Sequence, residues 1–218
     1  ERLKASTKLF ADETTAPVLD PGRGRTKTGQ FFAYGRDERP WGGDAPPAAW
    51  YRFSGDRKGQ HPKDHLARFR GWMHADGYAG FNAVFETGRV TEAACWAHAR
   101  RKFFDVHAAN GSPIAREALD RIGALYGIEA GHRGKPPDER QRCREEKSLP
   151  LLGDLKAWLE TILPKLSGKS DLAKAMRYTV SRWEALTRYI HDGRIEIDNN
   201  TAERSIRGIA LGRKNYLF

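Results

Sequence analysis

Two periodicities divide this chain, and their order limits the folds open to it. Up to residue 54, short β-prone runs are separated by turn-rich stretches, and beyond it strand-like and helix-like runs alternate. Residues 7–14 (Thr-Lys-Leu-Phe-Ala-Asp-Glu-Thr) read as a strand, 20–29 carry the Gly, Pro, Arg and Lys of a hairpin loop, and 30–35 read as the return strand. Pro40 to Pro47 is loop, and residues 49–54, with Trp50, Tyr51 and Phe53, supply a third strand. A short amphipathic helix over 61–70, a strand over 71–76, a helix over 78–86 and a fifth strand over 91–96 follow. A helix from Ala99 then opens on Arg100, Arg101 and Lys102. This order predicts an α/β fold, a mixed five-stranded sheet flanked by helices.

From Pro113 to His191 the pattern is helical throughout, with Ile114, Leu119, Ile122 and Leu125 on one segment, Leu151–Leu163 on the next and Leu172–Ile190 on a third. The sheet pattern stops near residue 110, and a single further helix starts near Asn199. The predicted organisation is therefore a core in two parts, 1–110 and 193–218, interrupted by an all-helical insertion over 111–192.

The 218 residues suffice for one core carrying such an insertion, and 39% apolar residues with 11% aromatics exclude a mainly disordered chain. With 38 Lys+Arg against 28 Asp+Glu, the formal charge of +10 suits a polyanionic partner, nucleic acid first. Two cysteines cannot build a disulfide framework and fit a reducing compartment. The opening Glu1-Arg2-Leu3-Lys4 is unlike a signal peptide, and no stretch approaches the roughly 18 apolar residues of a membrane span, so a cytoplasmic, nucleoid-associated protein is expected.

Three carboxylates stand out, each with an ordinary explanation beside a chemical one. Asp12 lies inside a β-prone run, where an acid must face a cation, a basic side chain or water. Asp76 ends a strand before Gly77, where open sheets place ligand sites, but it can equally cap a helix starting near Tyr78. Glu203 follows Asn200 at capping-box spacing, yet Asn199 and Glu203, four apart, can share a helix face turned to the sheet, with Arg204 and Arg207 beside it to hold phosphate. Taken together, a strand, a strand-end and a helix carboxylate can converge on a pair of Mg²⁺ ions, with Asp12 and Asp76 on adjacent strands. Such ions activate an attacking oxygen and stabilise a leaving one in phosphodiester cleavage.

Phe10-Ala11-Asp12-Glu13-Thr14, His74-Ala75-Asp76-Gly77-Tyr78-Ala79-Gly80, the run from Cys95 to Phe103, and Asp198-Asn199-Asn200-Thr201-Ala202-Glu203-Arg204 resemble the bacterial insertion-sequence sixty-six transposases. The basic loop from Pro21 to Gly29, the Arg39-Pro40-Trp41 corner and Leu211-Gly212-Arg213-Lys214-Asn215 match as well, so the resemblance covers nearly the whole chain. It implies a ribonuclease-H-like fold whose Asp-Asp-Glu triad is Asp12, Asp76 and Glu203, serving both as catalytic residues and as ligands of Mg²⁺, for which Mn²⁺ can substitute. It further implies cleavage and strand transfer at transposon ends, a homo-oligomer in the DNA complex, and N-terminal DNA-binding and zinc-binding regions in full-length members. On that reading this chain is a catalytic fragment.

Candidate DNA contacts are Arg23, Arg25 and Lys27 at the hairpin tip, His98, Arg100 and Arg101 on the phosphate path, and Asn199, Asn200, Arg204 and Arg207 around the last acid. Cys95 and His98 have half the spacing of a zinc site without two further ligands, so Cys95 is read as a core residue. Trp158 and Trp183 read as core of the insertion, and Trp41 and Trp50 as packing near the Pro-rich corner. Two competing functions remain, a nuclease of the same fold without strand transfer and a DNA-binding protein that has lost its chemistry.

Overall fold

Strands β1 (Lys8–Asp20) and β2 (Arg25–Arg36) form a long antiparallel hairpin, and β3 (Ala48–Ser54) continues the meander on the outer side of β2. Strands β4 (Gly71–Ala75) and β5 (Val90–Ala94) follow on the other side of β1, with β4 parallel to it, giving the order β3-β2-β1-β4-β5. The computed structural model describes residues 3 and 6–212. Residues 1, 2, 4, 5 and 213–218, among them most of the N-terminal run and the last three positions of the motif over 211–215, lie outside the described residues. The mixed five-stranded α/β sheet expected from the sequence is present and compatible with a ribonuclease-H-like fold.

The hairpin reaches further than its composition suggests. Residues 20–29 read as loop, yet the ladder continues through Val18↔Lys27 to Asp20↔Arg25, leaving only Pro21–Gly24 as the turn. Residues 21–28 are all exposed. Their polarity thus records solvent on a two-stranded ribbon and not a lack of backbone pairing. The helix expected over 78–86 is a 3₁₀ turn (Ala79–Phe81) followed by the short α2 (Asn82–Phe85), and α1 occupies Gln60–His65.

The chain divides into two compact units, Glu1–Asp37 with Ala45–Glu92 and Asn199–Phe218, and Glu38–Asp44 with Ala93–Asp198. In the first, alternation along the strands sends Leu9, Ala11, Phe32, Tyr34, Met73 and Ala75 into a core completed by Leu66, Phe69, Phe81 and Val84. Trp50 packs there against Tyr34, with ring centroids 5.2 Å apart. The opposite face of the sheet takes α9 (Asn200–Gly212), which packs on β1 and β2. Gly71 opens β4 at φ 131°, and a Cβ there would run into the carbonyl oxygen of Thr7. Only glycine allows β4 to start this close to β1.

The second unit contains α3 (Trp96–Asn110), α4 (Pro113–Gly131), α5 (Pro137–Cys143), α6 (Leu149–Ile162), α7 (Asp171–Ser181) and α8 (Trp183–Thr187). The continuous segment expected over Leu172–Ile190 is broken at Arg182 and ends in a 3₁₀ turn, Arg188–His191. Ser112 and Ser170 cap α4 and α7 by accepting from the amides three residues on. At the centre, Arg144 makes a bidentate pair with Glu129 at 2.7 Å through Nε and Nη2, and Arg140 bridges Glu129 and Glu196 at 3.2 and 2.7 Å. Both guanidiniums are at most 2% exposed, and Arg144 also donates to the carbonyls of Tyr189 and Asp192. The charges are thereby neutralised where water is excluded. No helix among the described residues is long and apolar enough to cross a membrane.

Candidate active site

The parallel register Lys8↔Trp72, Leu9↔Met73, Phe10↔His74, carried two residues further, brings Asp12 level with Asp76 at the C-terminal end of β4. Strand ends are where a parallel pair can offer side chains to a ligand without burying them under the next turn. The 3₁₀ turn that follows has Tyr78, not Asp76, at its N-cap position. The Phe10 and His74 rings stack 4.6 Å apart one step below this pair.

Glu203 arrives from α9. Helical bonds run from the amides of Ala202 and Glu203 to the Asn199 carbonyl, so Asn199 and not Asn200 occupies the cap position. Asn199 is fully buried, and its side-chain amide donates to the carbonyl of Ala11 at 2.8 Å. This bond ties the start of α9 to β1 one residue before Asp12 and places Glu203 in the first turn above the strand.

The Asp12 carboxyl feels the charge of its acidic neighbours. Its carboxyl is pushed up to about 7, first by burial, then by the negative charge of Asp76, with smaller contributions from Glu13 and Glu203. The Glu13 amide, donating to Asp12 Oδ1 at 2.8 Å, opposes the shift. Glu13 is raised too, by burial and by Asp76, while Arg57 and the Gln30 side chain hold it down. The sequence reading missed Glu13. Alternation puts it on the core face of β1, and only the position of Asp76 past the strand end brings it within reach of that charge.

The other sequence-selected residues fall in both units. Arg23, Arg25 and Lys27 are exposed on the hairpin, and Arg204 and Arg207 are exposed on α9, with Arg204 3.9 Å from Asp37. Asn200 is half-buried. His98, Arg100 and Arg101 lie on α3 in the second unit, the two arginines exposed and His98 half-buried. Cys95 is buried and reduced.

The family model described as "Transposase IS66 family" matches residues 1–218. The chain belongs to that family. Similar sequences include the uncharacterized proteins y4qI and y4jD of Sinorhizobium fredii (strain NBRC 101917 / NGR234), 43% identical over 225 residues and 40% identical over 222 residues. The alignments take in 100% and 99% of this IS66-family chain but 42% and 43% of the two relatives, so the chain spans about two fifths of their length.

Proposed function

We propose that this chain carries the catalytic centre of a DNA transposase, in which Asp12, Asp76 and Glu203 hold divalent cations, Mg²⁺ or Mn²⁺, for phosphodiester cleavage and strand transfer. The observation that carries the reading is the Asp12 carboxyl, raised to about 7 by burial and by the charges of Asp76, Glu13 and Glu203. Acids gathered in one partly desolvated place repel one another unless a cation or a proton joins them. The proposed donor set is all carboxylate oxygen, which suits hard divalent ions. Such ions, when bound, polarise the scissile phosphate and lower the pKa of the attacking hydroxyl or water.

The protein's own contribution is position. Asp12 and Asp76 are fixed by the β1–β4 register, and Glu203 by the bond between Asn199 and Ala11. Arg204 and Arg207 on α9, Arg23, Arg25 and Lys27 on the hairpin, and His98, Arg100 and Arg101 on α3 are the cationic and polar groups offered to DNA phosphates. Asn200 stands beside them at the start of α9. The helical stretch over 111–192 is read as an insertion in this core, and assembly into an oligomer on DNA belongs to the same proposal.

The test is nicking of supercoiled plasmid in Mg²⁺ or Mn²⁺, followed by joining of precut ends. Asp12→Asn and Asp76→Asn are expected to abolish both activities. Full nicking by Asp76→Asn overturns the site, and nicking without joining reduces the function to that of a nuclease.

A further inference from the structure

Asp12 shares its sheet face with a strip that no catalytic role accounts for. Directly paired residues in a sheet point the same way, and the side alternates along each strand. The pairs Asp12↔Ala33, Thr14↔Phe31, Ala16↔Gly29 and Val18↔Lys27 on the hairpin, with Ala33↔Tyr51 and Phe31↔Phe53 across to β3, therefore define one continuous face.

Helix α9 covers only the near end of this face. A Cβ on Gly35 would lie 3.5 Å from Thr201 and 3.6 Å from Ser205, and the Tyr51 hydroxyl donates to the Ser205 carbonyl at 2.9 Å. Beyond Asp12 the face continues outward. Phe53 lies against Phe31 with ring centroids 5.0 Å apart, and its ring edge fills the space beside Gly29, where a Cβ would come within 2.7 Å of it. Phe53 nonetheless remains 48% exposed and Tyr51 44%. Past them stand the exposed Lys27 and Arg25, on the same face at the next two alternate positions of β2.

An exposed aromatic pair bordered by cations and leading to a cluster of acids matches a strand of DNA with unpaired bases. Duplex DNA offers mainly phosphates to such a surface, and cations alone would serve it. Exposed rings gain only when bases leave the helix and stack on them. We propose that the strip formed by Tyr51, Phe53, Lys27 and Arg25 binds single-stranded DNA, its bases stacked on Phe53 and Tyr51 and its phosphates held by Lys27 and Arg25. This rests on the transposase reading of the adjacent carboxylates and specifies the form of DNA that the site receives.

The test is fluorescence anisotropy of the chain with a labelled oligothymidylate and with a blunt-ended duplex, both in EDTA so that no cleavage intervenes. Phe53→Leu keeps an apolar contact for Phe31 and Gly29 but removes the ring. It is expected to weaken oligothymidylate binding about tenfold while duplex binding stays within about twofold, and Phe53→Tyr is expected to restore it. Unchanged melting temperatures establish that both variants fold. Equal losses on the two probes, or no loss on oligothymidylate, overturn the strip while leaving the carboxylate site standing. A wild-type chain that binds neither probe also overturns the strip, while the carboxylate site is judged by the nicking assay.

Discussion

The side-chain amide of Asn199 donates to the carbonyl of Ala11 across 188 positions of sequence, joining the residue that caps α9 to the residue before Asp12. One bond therefore sets how the helix bearing Glu203 meets the strand bearing Asp12. Asn199→Ala would leave the Ala11 carbonyl buried without this partner. A loss of about 1–3 kcal/mol in urea unfolding is expected, with a fall in nicking beyond what the unfolded fraction explains. Wild-type stability would show that the bond does not hold the helix.

Glu203→Gln separates chemistry from capping. Since Asn199 is the cap and Gln is as good a helix former as Glu, the melting temperature should stay near that of the wild type. Cleavage should fall by about a hundredfold or more, because a neutral amide is a poor ligand for a hard cation. Cleavage at the wild-type rate would reduce Glu203 to a residue of the first helical turn.

Asp12 gives stability a direction with pH. A carboxyl whose folded pKa is about 7, against an ordinary 3.8, holds its proton more tightly in the folded chain. Its contribution is full below pH 3.8 and is lost as pH rises towards 7. Asp12→Asn, measured without divalent ions, should match the wild type near pH 4 and exceed it near pH 8, by at most about 4 kcal/mol. A gap of the same size at both values would refute the shift.

Divalent cations should reverse that penalty. Mg²⁺ at about a hundred times its dissociation constant should stabilise the wild-type chain by about 2.7 kcal/mol, read as a rise in melting temperature, and the rise should vanish in Asp76→Asn. An equal rise in both proteins would place the bound ion elsewhere.

Glu129→Ala removes the acid shared by Arg140 and Arg144 and leaves two buried guanidiniums short of a partner. A loss of about 3–5 kcal/mol is expected in denaturant unfolding. Replacing Glu129 by Gln should recover only part of it, and a neutral effect of Glu129→Ala would show that water enters the network.

The order of strands and helices was legible because alternation and helical period are local signals, as in β3 or the leucines of α6. The pairing order β3-β2-β1-β4-β5 was only partly so, since nothing in β4 itself names β1 as its parallel neighbour. The arm over 20–29 was misjudged because solvent exposure and loop share a composition. In the proposed site, Asp12, Asp76 and Glu203 are candidates by where they fall at strands and a helix start. Glu13 could not, since its coupling to Asp76 arises only after the sheet has formed, and neither could the Asn199 cap, which is decided by which carbonyl the first helical amides choose. The buried Glu129 network gave no signal, because Arg140 and Arg144 read in sequence like any solvated helix charges.

The side-to-side alternation of the hairpin also governs how its length can vary among descendants of this gene. A single codon inserted in β1 between Asp12 and Val18 turns every outward residue beyond it to the opposite face unless a bulge absorbs it, whereas a pair of codons lengthens the arm and preserves its orientation. Tolerated changes in this arm should thus come in even steps, or fall within the turn over 21–24, where no facing is at stake.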